Sequence, residues 1–194
     1  MIKNLFPSEK LMDDNLKIDK DSEYYISRPE ISAKICDLIE ESLGSDIVIT
    51  DMTAGVGGDT IRFALRFKGV NSIERNKTRY QYLCHNIDCY HINNVYNTFN
   101  RDCMDSYSEL KHDVVYFDPP WGGPEYKMHD NIRLELSGRY IEDCVKEVMC
   151  SENAPSLVVL KLPKNYDNNA IYDNLSDYTI RFNELRRMNI VFIY

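Results

Sequence analysis

Asp46-Ile47-Val48-Ile49-Thr50-Asp51-Met52-Thr53-Ala54-Gly55-Val56-Gly57-Gly58-Asp59-Thr60-Ile61-Arg62-Phe63-Ala64-Leu65 changes its character twice. The β-branched run up to Asp51 favours a buried strand, the glycines break it, and Asp59 to Leu65 returns to helical spacing. Strand, loop and helix in that order open a crossover unit of a parallel sheet. The loop brings bare backbone and a helix N-terminus to whatever lies beyond the strand's carboxyl end.

The same alternation continues on both sides. Upstream, Ile31, Ile35, Leu38 and Ile39 recur at helical spacing between Pro29, suited to a first helical turn, and Gly44, suited to a helix end. Downstream, Val70 to Glu74 reads as a strand. Asn76 to about His91 reads as a helix with Tyr80, Leu83, Ile87 and Tyr90 on one stripe, and Val95 to Phe99 as a further strand. A short helix over Met104 to Leu110 precedes a strand over Asp113 to Asp118, and a helix over Arg139 to Cys150 precedes the apolar run Ser156 to Leu162. The runs Tyr178 to Leu185 and Met188 to Tyr194 are separated only by Arg186-Arg187, too few residues for a crossover, so they pair as an antiparallel hairpin. The expectation is an α/β fold: a mostly parallel sheet with helices on both faces, one antiparallel feature, and a ligand site beyond the carboxyl ends of the strands. Residues 1–28 read as a short N-terminal arm and 29–194 as the domain.

Composition narrows the partners. The chain has 194 residues, 43% of them hydrophobic, which suits one domain with a sizeable core. A formal net charge of -8 argues against a protein that grips long nucleic acid through a basic surface. The six cysteines form no CxxC pair and the four histidines never fall at ligand spacing beside them, so no metal is expected. No signal-like or membrane-spanning run occurs, so the reading is a soluble, intracellular, nuclear or cytoplasmic monomer with no membrane partner.

The glycine loop lacks the third glycine of a dinucleotide fingerprint, where Thr60 stands, and the Gly-Lys-Ser/Thr of a phosphate loop. S-adenosylmethionine remains. Its ammonium suits Asp51 or nearby carbonyls, its ribose diol suits Glu74 at the end of the second strand, and its adenine edge suits Asp102. Asp51 has an alternative role in orienting the loop backbone. Thr53, Ala54, Gly55 and Gly57 in the loop, Arg75 beside Glu74, Cys103 beside Asp102, and Asp118 complete the candidate cofactor set.

Asp118-Pro119-Pro120-Trp121-Gly122-Gly123 follows the buried run Val114-Val115-Tyr116-Phe117. Two prolines fix the backbone so that the Asp118 carboxylate and the Pro119 carbonyl, two acceptors, can meet a planar amino group, while Trp121 offers a face for a base. Asp118, Pro119 and Trp121 are therefore the candidate catalytic residues.

The glycine loop, Glu74, Asn86 and Asp118 through Gly123-Pro124-Glu125-Tyr126 together resemble the trimethylguanosine synthase family, and the resemblance runs from Asp13-Asp14 to Leu162-Pro163-Lys164-Asn165. It implies a Rossmann-like class I methyltransferase with a seven-stranded, mostly parallel sheet containing one antiparallel strand. It also implies S-adenosylmethionine as donor, S-adenosylhomocysteine as product, no metal, and the exocyclic 2-amino group of 7-methylguanosine in capped RNA as acceptor. By that resemblance Trp121 stacks on the cap base, and Asn86, Tyr126 and Lys164 contact the cap. Two departures stand out: many members carry Ser where this chain has Asp118, and the helical extension before the core is reduced to about the first 28 residues. Lys3, Lys10 and Lys17 are then the N-terminal candidates for the triphosphate, or simply solvated charges. Asp-Pro-Pro-aromatic also suits amino methylation of adenine or guanine within RNA or DNA, and a catalytically silent cap- or RNA-binding module is the further alternative.

Overall fold

The computed structural model describes residues 2–194. Its main sheet has seven strands in the order β3-β2-β1-β4-β7-β9-β8, drawn from β1 (Val48–Asp51), β2 (Gly69–Ile73), β3 (Val95–Phe99), β4 (Val114–Phe117), β7 (Leu157–Pro163), β8 (Ile180–Leu185) and β9 (Met188–Ile193). The two-residue strands β5 (Glu135–Leu136) and β6 (Arg139–Tyr140) form a separate hairpin. β1 pairs in parallel with β2 and β4, and β4 with β7; β9 alone runs antiparallel, inserted between β7 and β8. The terminal hairpin turns at Arg186, whose φ of 51° lies in the left-handed region.

Strand alternation assigns the two faces. Val114 and Tyr116 of β4, Leu157 and Val159 of β7, and Ile190 and Phe192 of β9 pack under α2 (Pro29–Leu43) and α3 (Gly58–Arg66). Val115 and Phe117, Val158 and Leu160, and Val191 and Ile193 face α5 (Ile141–Met149) and α6 (Asn168–Asn174). By the same alternation Lys161 belongs to the α2 and α3 face. α4 (Lys77–Cys89) starts at an N-cap, Asn76, whose side chain accepts from the Thr78 and Arg79 amides.

The arm is packed rather than extended. Phe6 and Leu16 are buried with Val56, Ile61, Leu83 and Ile87, and a single-turn helix α1 (Ser22–Tyr25) leads into α2. Two expected elements differ. Met104 to Leu110 forms two 3-10 turns, Cys103–Asp105 and Tyr107–Glu109, because the Asp102 side chain caps the first and the Ser106 hydroxyl donates back to the Asp102 carbonyl. The helix expected from Arg139 starts at Ile141, since Arg139 and Tyr140 pair with Leu136 and Glu135. Among the described residues no helix is long and apolar enough to cross a membrane.

Candidate active site

The carboxyl ends of β1, β2, β4 and β7 meet along one edge. The loop after β1 is held by Met52 N donating to the Tyr116 carbonyl at 3.0 Å and Ala54 N to the Ile73 carbonyl at 3.0 Å. Its glycines serve different ends. Gly57, with φ of 100°, lies so close to α4 that an added Cβ would meet Leu83 Cδ1 at 2.9 Å, whereas Gly55, with φ of 55°, has nothing within 4 Å of such an atom. Gly57 is therefore needed for packing, and Gly55 presents open backbone to a ligand.

Glu74 stands just past β2, where its Oε2 accepts from Gly55 N at 2.9 Å and its Oε1 from Asn76 N at 2.7 Å. A carboxylate has about four acceptor sites, so both oxygens retain capacity for a diol. Arg75 is exposed, with its Nη1 3.9 Å from Asp102 Oδ2. Asp102 Oδ1 accepts from Met104 N at 3.0 Å and from Ser137 Oγ at 2.5 Å. Open backbone at Gly55 flanked by two acids with spare acceptor sites fits an S-adenosyl group.

Asp118 is tied to the glycine loop by its own backbone, since Asp118 N donates to Thr53 Oγ1 at 2.8 Å. Its side chain is 18% exposed, and Oδ2 accepts from Lys161 Nζ at 2.5 Å. Burial pushes the Asp118 carboxyl up to about 6, against the opposing pull of Lys161. Burial would push Lys161 down, but Asp118 and Asp59 outweigh it and raise its pKa. Behind the pair, Ser27 Oγ accepts from Lys161 Nζ at 2.7 Å and donates to Asp59 Oδ2 at 2.6 Å, while Ser32 and Tyr116 also donate to Asp59. Trp121 is half-buried, edge-on to Tyr126 with centroids 5.2 Å apart, and its Nε1 is buried with no partner. The Asn165 amide donates to the Tyr126 and His129 carbonyls and so holds the turn Pro124–Met128 beside it. The Pro119 carbonyl accepts no backbone hydrogen bond from the described residues, leaving both acceptors of this loop near one another in sequence and only one oxygen spoken for.

The model of the RNA cap guanine-N2 methyltransferase family matches residues 46–192. The chain belongs to that family. It is 42% identical over 149 residues to an uncharacterized protein of Acanthamoeba polyphaga mimivirus, covering 76% of this chain and 58% of that one. It is 29% identical over 120 residues to the trimethylguanosine synthase of Schizosaccharomyces pombe, covering 59% and 49%. The chain thus spans about half the length of the curated relatives it matches. The fold is shared with the precorrin-6y C5,15-methyltransferase of Geobacter metallireducens, at a TM-score of 0.67, 15% identity, and 97% and 98% coverage.

In this member of the cap guanine-N2 methyltransferase family, the remaining candidate residues from the sequence lie in varied surroundings. Asn86 is fully buried: its Oδ1 accepts from Lys17 N, and its Nδ2 donates to the Lys17 and Val56 carbonyls. Both N–H donors are used in fastening the arm to the glycine loop, and burial keeps the side chain from the surface. Asp51 is likewise fully buried, accepting from Thr60 Oγ1 at 2.7 Å and Thr53 N at 3.2 Å. Burial, with Asp59 adding to it, pushes Asp51 up to about 8. Of its two expected roles, the geometry supports orienting the loop rather than meeting an ammonium. The Cys103 thiol is buried in the core, so only its backbone can reach a ligand. Lys164 lies past the tryptophan loop, exposed and paired with Glu184 on β8. Lys3, Lys10 and Lys17 are all exposed, and only Lys17, through the Asn86 contact, borders the glycine loop.

Lys161, Ser27, Asp59 and Ser137 were not singled out from the sequence. A signal existed for the first: a lone lysine at an inward position of an otherwise apolar strand must find a counter-charge. Ser27 and Asp59 carry no such mark.

Proposed function

We propose that the chain transfers methyl from S-adenosylmethionine to the exocyclic 2-amino group of 7-methylguanosine in an RNA cap. The observation that carries the reading is the Asp118 N to Thr53 Oγ1 hydrogen bond of 2.8 Å, which docks an amine-accepting loop against a loop suited to an S-adenosyl donor. The donor supplies an electrophilic methyl group and leaves as S-adenosylhomocysteine. The chain's own task is placement. A guanine amine is a weak nucleophile because its lone pair is delocalised, and holding it in line supplies most of the acceleration. Asp118 and the Pro119 carbonyl accept the two amine hydrogens, favour a pyramidal nitrogen and stabilise the positive charge that develops there. The proton released from nitrogen passes to Asp118 or to water. Glu74 accepts the ribose hydroxyls, Asp102 faces the adenine edge, and Trp121 stacks on the base. Cationic 7-methylguanine gains about 1 to 2 kcal/mol on a desolvated indole.

A second reading is amino methylation of a neutral guanine or adenine in a polynucleotide. One observation favours it: Lys161 Nζ already lies 5.6 Å from the Trp121 centroid, so the platform carries a cation of its own. The net charge of -8 works against a long RNA substrate. Mass spectrometry after incubation with a 7-methylguanosine cap analogue, an unmethylated cap and uncapped RNA separates the readings. One or two added methyls on the methylated cap alone supports the first; modification of uncapped RNA alone overturns it.

A further inference from the structure

The proposed chemistry uses Asp118 and leaves Lys161 unexplained. All seven residues of β7 are buried, and Lys161 is itself 4% exposed. An ammonium in such a place is tolerated only when its donors are met. Asp118 Oδ2 and Ser27 Oγ meet two of them. Ser27 gives its own proton to Asp59, so it offers Lys161 a lone pair and nothing to accept, which fixes the lysine as the donor of both bonds. No described residue makes a hydrogen bond of good geometry to Asp118 Oδ1, and the buried indole N–H of Trp121 lies near enough to the carboxyl to favour its charged form.

We propose that Lys161 is a positioning residue for amino methylation: its bond to Oδ2 keeps Asp118 ionised and in one orientation, so that Oδ1 is the oxygen presented to the substrate amine. The inference rests on the reading that Asp118 accepts that amine. Every other titratable group facing Asp118 opposes its ionisation. Asp51 comes from β1, Asp59 from α3 and Tyr116 from β4 itself, while Lys161 from β7 is the cation that counters them, with a smaller contribution from the Trp121 indole N–H. Ser27 extends the control to the arm, because the residue that orients the ammonium precedes α2.

The test compares the wild-type chain with Lys161→Met, which keeps the length of the side chain and removes the charge. Carbon-13 titration of the aspartate carboxyls, with Asp118→Asn to identify the signal, reads the pair without any substrate. The Asp118 midpoint is expected to rise by about 1 to 3 pH units in Lys161→Met, and an unchanged midpoint overturns the proposal. In methyl transfer to a 7-methylguanosine cap, the acid limb of kcat is expected to move up by the same amount, with recovery to within about threefold of wild type near pH 9 and an unchanged cofactor KM. A loss of kcat that is uniform at all pH values makes Lys161 a spacer and overturns the proposal. If Lys161→Met unfolds at neutral pH, it is expected to fold near pH 5, and Asp118→Asn/Lys161→Met is expected to fold at both; a double variant that stays unfolded assigns the lysine to shape and overturns the proposal. If the wild type methylates neither cap nor RNA, the reading of the reaction fails, and the carboxyl titration still reports the ion pair by itself.

Discussion

The glycine-loop side and the acid-proline side of the carboxyl edge satisfy their carboxylates in opposite ways. Glu74 meets the backbone amides of Gly55 and Asn76, and Asp102 meets that of Met104 and a serine hydroxyl. Asp118 instead meets a buried ammonium, which leans on Ser27 and through it on Asp59. Amides and hydroxyls do not titrate near neutrality, while a buried ion pair does, and removing one partner strands the other. The acceptor side therefore couples its chemistry to proton uptake through the Asp118–Lys161 pair, while on the donor side the titrating group is Asp51, buried beneath the loop it orients.

The largest break in that contrast is Asp118→Ala. Turnover is expected to fall by roughly 100-fold or more, while calorimetry still finds S-adenosylmethionine bound with nearly wild-type affinity; full turnover would remove Asp118 from the amine-accepting role. Glu74→Gln produces the complementary pattern, weakening the cofactor by about 10-fold with kcat at saturation little changed. Equal losses of kcat in both variants would erase the division between the two sides. Trp121→Ala is expected to weaken a 7-methylated cap by about 5- to 30-fold relative to cofactor, read by fluorescence or calorimetric titration.

Stability sharpens the comparison further. Asp51 is pushed up to about 8 and Asp118 to about 6 from an ordinary 3.8, so between 3.8 and those values the folded chain binds more protons than the unfolded one. Stability then falls as pH rises through that window. A melting temperature lower at about pH 9 than at about pH 5 is expected, and Asp51→Asn should remove the upper part of the fall; a wild-type melting point that rises with pH sinks the assignment. The smallest effect belongs to Asn86→Ala, which leaves backbone groups of Lys17 and Val56 unpaired at about 1 to 3 kcal/mol, with kinetics unchanged below the melting transition. Lost cap affinity in a chain of undiminished stability would return Asn86 to the substrate.

The elements and the setting of Glu74 were legible because their partners are close in sequence, whereas Ser137, which meets Asp102 from 35 positions away, was not. Glu74 bonds Gly55 19 positions away and Asn76 two away, within one strand-loop-helix unit that periodicity and glycines mark out. The acceptor side was legible only at Asp118 and Trp121. Lys161 pairs with Asp118 across 43 positions and with Ser27 across 134, and no local pattern records which distant strand will turn a lysine inward. The burial of Asn86 was not legible for the related reason that its partner, the Lys17 backbone, lies 69 residues away. A buried asparagine closing a backbone gap and an exposed one reaching a ligand look alike in a helix. The hairpin β5–β6 escaped because two-residue strands leave no period to read.

The place of β9 bears on how the chain emerges from the ribosome. β9 lies between β7 and β8 but follows both in sequence, so β7 keeps one edge bare until residues 188–193 are made and insert beside it. From Pro163 to Ile193 is 30 residues, roughly 1.5 to 6 seconds of synthesis at ordinary rates, during which a strand of seven apolar or inward-facing residues offers itself to any neighbouring chain. The arrival of β9 therefore ends the exposure, so a pause in translation between Pro163 and Met188 is expected to lengthen it and uninterrupted synthesis to shorten it.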